Sequence, residues 1–96
     1  MNRAEAQRVI GAVLDELRDM SYDELVETFL DDPHAREIEG PDSGTLYRVE
    51  IEAFWDDREG ENLRVLVAVD DGNGLRGYVP VTEDFTIAPN GLFVGE

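Results

Sequence analysis

"TLYRVEIEAFWDDREGENLRVLVAVD", Thr45 to Asp70, decides the fold. In its first half Tyr47, Val49, Ile51, Ala53 and Trp55 alternate with Arg48, Glu50 and Glu52, the period of two that marks a half-buried strand over about residues 45–56. After the polar turn "DDREGEN", Leu63, Val65, Val67 and Val69 repeat that period and give a second strand over residues 63–70. If Trp55 faces Leu63 across this hairpin, Arg48 faces Asp70.

Downstream, "VDDGNGLRGYVP" (Val69 to Pro80) gathers two aspartates, an asparagine and three glycines. As a calcium loop begun at Asp71 it fails, because Leu75 stands where an oxygen ligand is needed and Arg76 where glycine is needed. Begun at Asp70 it puts Gly72 on a ligand position, and a phosphate loop needs a lysine that the chain lacks. The stretch reads instead as a hairpin with the loop Gly72-Asn73-Gly74. That register sets Val69 opposite Gly77, Val67 opposite Val79 and Val65 opposite Val81, and pairs Asp70 with Arg76. A third strand then covers about residues 75–81. "FTIAPNGLFV" supplies a fourth over about 85–94, or a closing hairpin around Pro89-Asn90-Gly91.

Upstream, the apolar period is helical. Ala6, Val9, Ile10, Val13, Leu14, Leu17 and Met20 recur at three- and four-residue spacing, which predicts a helix over about residues 3–20 with Arg3, Glu5, Arg8, Asp15, Glu16, Arg18 and Asp19 on the solvated side. Gly11 weakens it and offers room for close packing. Ser21 with Glu24 makes a capping box, stapled by Met20 and Leu25, for a second helix over about 22–30 that Pro33 halts. "HAREIEGPDSG", His34 to Gly44, reads as loop. The expectation is one α+β domain over residues 1–96, with two N-terminal helices on one face of a three- to four-stranded antiparallel meander in two layers. "SYDELV", "YRVEIEAFWDD", "LRVLVAVDDG" and "VPVTEDF" together resemble a family of short uncharacterised prokaryotic proteins with that helix-then-meander plan. The resemblance spans roughly Ser21 to Phe85 and implies a fold, with no activity or site residues.

Composition narrows the function classes. The 96 residues hold 23 acidic against 8 basic side chains, a formal charge of −15, and every basic residue is arginine. Such a chain repels phosphate backbones, and its scattered arginines form no basic stripe, so no nucleic-acid partner is expected. Acid excess without lysine resembles the salt-adapted composition of halophiles, whose ionic strength screens self-repulsion; an acidic protein from a high-GC mesophile or one shaped to bind a basic partner would share it. With no cysteine there are no disulfides or thiolate sites, and a cytoplasmic location fits. No apolar signal segment or membrane span is read in the sequence.

Catalysis finds little to use. Ser43, His34 and a carboxylate are the sole nucleophile-base-acid set, with no motif behind them, and Glu50 with Glu52 read as solvated strand glutamates. "LDDPH", Leu30 to His34, offers two carboxylates and an imidazole but reads as a solvated stop. No catalytic, cofactor-binding or metal residue is therefore assigned. The outer sheet face is more promising: Phe54, Leu66 and Tyr78 lie among Glu50, Glu52 and arginines, as aromatic and aliphatic anchors lie within a polar rim. The expected function is a non-enzymatic protein-binding module that takes a protein partner or a second copy on that face. An acidic inhibitor of the immunity type, neutralising a basic partner, is one alternative, and an enzyme or metal-binding protein is the other. Burial of Phe54 and Leu66 beneath Leu92-Phe93-Val94 would remove the surface.

Overall fold

The structure is a computed structural model that describes residues 2–72 and 80–95. Helix α1 (Arg3–Arg18) starts where the Asn2 side chain accepts the Glu5 N–H at 3.1 Å. The capping box opens α2 (Tyr22–Phe29): Glu24 N–H donates to Ser21 Oγ at 3.1 Å, and Ser21 N–H donates to Glu24 Oε1 at 2.9 Å. Strands β1 (His34–Glu39), β2 (Leu46–Trp55), β3 (Leu63–Asp70), β4 (Val81–Ile87) and β5 (Phe93–Val94) follow, so the fold is α+β with a five-stranded sheet. Their order is β1-β2-β3-β4-β5, each antiparallel to the next, an open meander.

The hairpin of Thr45 to Asp70 forms in the expected register, with Trp55 opposite Leu63 and Arg48 opposite Asp70. Tyr47, Val49, Ile51 and Ala53 of β2 are buried, as are Leu63, Val65, Val67 and Val69 of β3. They join Ala6, Val9, Ile10, Val13, Leu14 and Leu17 of α1 and Leu25 and Phe29 of α2 in one core cluster. Helix α1 contacts β3 and β4, and α2 contacts β2. Each fully buried aliphatic or aromatic side chain contributes about 1.5–3 kcal/mol over leaving it in water, so the apolar alternation drives the collapse.

Four expectations need correction. The sheet has five strands rather than three or four, because His34–Glu39, read as loop, is strand β1. It carries almost no apolar periodicity, since it is an edge strand held by backbone pairing to β2, and its charges with flanking Pro33 and Pro41 suit an exposed edge. The pairing expected for β3 is also displaced, while residues 75–79 of the strand expected at 75–81 lie outside the described residues. The partner of β3 is β4, with Val69 opposite Val81, Val67 opposite Glu83 and Val65 opposite Phe85, four residues beyond the expected pairing. Pro80 explains the shift: it has no N–H for a central ladder, and it lies immediately before β4. The observed register also buries Phe85 and Ile87.

The expected strand at 85–94 divides into the end of β4, a turn, and β5. Gly91 N–H donates to the Ala88 carbonyl at 2.8 Å, Ala88 N–H to the Leu92 carbonyl at 2.9 Å, and Asn90 Oδ1 accepts Leu92 N–H at 3.0 Å. The closing hairpin at Pro89-Asn90-Gly91 is thus present. Finally, Gly11 permits no close packing, because a methyl group there would meet open space. After β3, Gly72 takes φ +81° and donates its N–H to Asp70 Oδ1 at 2.8 Å, so the chain turns there. The remainder of that loop and the Asp70–Arg76 pair fall on residues 73–79, outside the described residues.

Candidate functional site

Cross-strand partners share a face, so the register assembles the outer face of the sheet from the even positions of β2, β3 and β4 and the odd positions of β1. Its rows run Phe54–Arg64–Thr86, Glu52–Leu66–Asp84, Ala35–Glu50–Ala68–Thr82 and Glu37–Arg48–Asp70. Phe54, Leu66, Glu50 and Glu52 therefore lie together as the sequence suggested. Tyr78 lies outside the described residues. Phe54 is 39% exposed, and Leu66 and Ala68 are half-buried. The C-terminal segment does not shield them. It forms β5 beside β4, where Phe93 meets Phe85 edge-on at 5.6 Å and Arg18 lies 5.2 and 5.0 Å from the two ring centroids.

Electrostatically this face is acidic. Among the described residues it carries six carboxylates (Glu37, Glu39, Glu50, Glu52, Asp70, Asp84) and two guanidiniums (Arg48, Arg64). Both arginines are engaged: Arg48 Nε bonds Glu50 Oε1 at 3.0 Å, while Arg64 reaches Asp56 at 2.9 Å and Asp84 at 3.6 Å. The Glu52 side chain, on β2 opposite Leu66, makes neither hydrogen bond nor ion pair among the described residues. Pro33, Ala35, Leu66 and Ala68 floor a groove beside it, with His34, Arg48, Glu50 and Glu52 around the floor. Its volume of about 250 Å³ is below the roughly 300–1,000 Å³ of ordinary small-molecule pockets. It accommodates a side chain more readily than a metabolite.

A second constellation escaped the sequence reading. Glu5, expected on the solvated side of α1, is 0% exposed. Its Oε2 accepts the N–H groups of Asp42 and Ser43 at 2.8 and 2.9 Å, and its Oε1 accepts the hydroxyls of Ser43 and Tyr47 at 2.6 and 2.7 Å. The Ser43 hydroxyl, the Tyr47 hydroxyl and the two backbone donors outweigh burial and lower its pKa to about 2. Burial and the bond to Glu5 push Tyr47 up to about 12. Gly40 is required beside them: a methyl group there would sit 2.6 Å from Glu5 Oε1 and 2.8 Å from the Tyr47 ring. Arg8 adds an ion pair to Asp42.

With all four acceptor positions filled and its affinity for protons this low, Glu5 is an anchor for the β1–β2 turn rather than a general base. One signal for it was available. Glu5, Val9 and Val13 repeat at four-residue spacing, which sets the acid on the buried stripe of the helix.

The remaining candidates do not assemble. The Ser43 hydroxyl donates a hydrogen bond to Glu5 and accepts Thr45 N–H at 3.1 Å. His34, at the β1 edge, meets the Phe29 ring edge-on at 4.8 Å and lies 3.4 Å from Asp32. Among the described residues no three metal-ligating side chains converge, and no helix is long and apolar enough to cross a membrane. Comparison with protein-family models, with curated proteins and with solved structures finds no match to this chain.

Proposed function

We propose that this chain is a non-enzymatic protein-binding module working through the outer sheet face, with Phe54 and Leu66 as apolar anchors and Glu50 and Glu52 in the surrounding rim. In this reading both helices pack on one side of the sheet in two layers and leave the other side for a partner. The observation that carries it is the exposed Phe54 ring one row from half-buried Leu66, with half-buried Ala68 in the row beyond, on a face where solvation alone would favour polar residues. The acidity of the chain supports a second reading within the same frame, an inhibitor of the immunity type directed at a basic protein.

The test uses immobilised wild type, Phe54→Asp, Leu66→Asp and the remote control Glu27→Gln, each confirmed folded by circular dichroism, against lysate of the source cell. Light scattering of the same samples reports self-association. Loss of a bound protein, or of a dimer, with both aspartate variants but not with the control supports the face. Retention by all four alike sinks the reading.

A further inference from the structure

Glu52 sits at the centre of the outer face, between Phe54 and Glu50 along β2 and opposite Leu66 on β3, with no cation of its own among the described residues. A carboxylate flanked by apolar anchors lowers the affinity of that face for any neutral or anionic surface, because docking would strip its water without replacing it. A cation reverses that cost. The groove beside it has apolar lining from Pro33, Ala35, Leu66 and Ala68 and polar lining from His34, from Arg48 paired to Glu50, and from Glu52; its Glu52 side matches a long basic side chain, whose methylene stem lies on apolar atoms while its head keeps a polar partner.

A second copy is a poor occupant on two grounds. Across the face it opposes one six-to-two excess of carboxylates with another. Along the β1 edge, twofold antiparallel pairing joins residues of equal parity. Centred on Arg36 or Glu37 it sets that residue against its own symmetry mate. Centred on Ala35 it joins His34 to Arg36, and on Ile38 it joins Glu37 to Glu39. Every such register places like charges opposite, apart from His34 when neutral.

We propose that the outer face receives a cationic polypeptide of a different chain, anchored by one lysine or arginine whose stem lies on Leu66 and Ala68 and whose head sits between Glu50 and Glu52. This rests on the outer face being the binding surface and adds the chemistry of what fills it.

The test titrates isotope-labelled protein with the blocked peptide acetyl-Gly-Arg-Gly-amide at about 0.15 M KCl, where the Debye length is about 8 Å, with the glutamine analogue as control. Saturable amide shifts are expected at Glu50, Glu52, Leu66 and Ala68 with the arginine peptide alone. Glu52→Gln should weaken that binding roughly two- to fivefold, the range of an exposed ion pair, and Glu27→Gln, with the same charge change on α2, should leave it unaltered. Shifts spread over the acidic surface, or equal weakening by both variants, would overturn the anchor. The face and the anchor fail separately: a protein lost with Phe54→Asp but held equally by Glu52→Gln removes the anchor and keeps the face, and one held by both variants removes the face. A dimer abolished by Leu66→Asp makes the second copy the occupant and overturns the proposal.

Discussion

Glu5 and Glu52 are the same residue type in an acid-rich chain, yet their surroundings are opposites. At the α1 corner four donors converge on Glu5, and the backbone of Asp42 and Ser43 is ordered around it. On the outer face Glu52 meets no donor among the described residues and lies between Phe54 and Leu66. A carboxylate surrounded by donors is part of the architecture, and one left among apolar side chains is available to something else. Net charge treats the two alike, whereas hydrogen-bond accounting separates them.

The largest effect should come from Glu5→Gln, which sets an amide N–H₂ group among donors and leaves buried groups unsatisfied. Its thermal midpoint should fall further than that of Phe54→Asp, Leu66→Asp or Glu52→Gln. The pH dependence carries the sign. Because the folded-state pKa is lowered from 4.5 to about 2, the anchor's stabilisation is complete above about pH 4.5 and lost as pH falls towards about 2. Acid also relieves repulsion among the solvated carboxylates, so the informative quantity is the difference between wild type and Glu5→Gln in denaturant melts from pH 7 to 2. A constant difference across that window would show that Glu5 is no anchor.

Salt sharpens the contrast next. Charges on a −15 chain interact within a Debye length of about 10 Å at about 0.1 M and about 3 Å at about 1 M. The wild-type midpoint should therefore rise between about 0.1 and 2 M KCl, beyond the rise given by a neutral osmolyte. The deficit of Glu5→Gln should persist in high salt, because buried hydrogen bonds are screened far less. A midpoint indifferent to KCl would remove salt adaptation as the reason for the acidity.

Gly11→Ala gives a smaller effect of opposite sign. The methyl meets open space within α1, so stability should rise by about 1 kcal/mol in chemical unfolding. Added to Glu5→Gln it should contribute the same increment, as distant sites do; non-additivity would mean that the helix and the anchor are one unit. Smallest of all is Glu52→Gln, expected within about 0.5 kcal/mol of wild type. A larger loss would show Glu52 to be structural and dissolve the contrast.

The sequence made the β2–β3 hairpin, both helices and the capping box legible, because each rests on local periodicity or a local side-chain bond. What escaped depends on partners distant along the chain. β1 is a strand through its backbone pairing to β2, and "HAREIE" has too few apolar residues to announce that. The pairing of β4 was misplaced by four residues because the glycines suggested a tight turn, although Pro80 argued against a central strand through that position. For the candidate surface, Phe54, Leu66, Glu50 and Glu52 were readable once the β2–β3 register was, since alternation dictates the face. Glu5 is not settled by local pattern alone because its burial depends on donors 37 to 42 residues away, whereas a charged side chain ordinarily faces water.

The meander also bears on folding kinetics. Every strand pairs with its immediate neighbour in sequence, so the sheet can grow by successive short closures, each inexpensive in chain entropy. The anchor differs, since its bonds span 37 to 42 residues and require α1 to be docked beside a finished β1–β2 turn. Local closures precede distant ones, which places the anchor late on the folding path. Glu5→Gln should then leave the folding limb of a chevron almost untouched and raise the unfolding limb; a slowed folding limb would put the anchor in the nucleus instead. The carboxylate at the α1 corner is in that sense a clasp: it does little to assemble the sheet and governs how long the finished molecule stays closed.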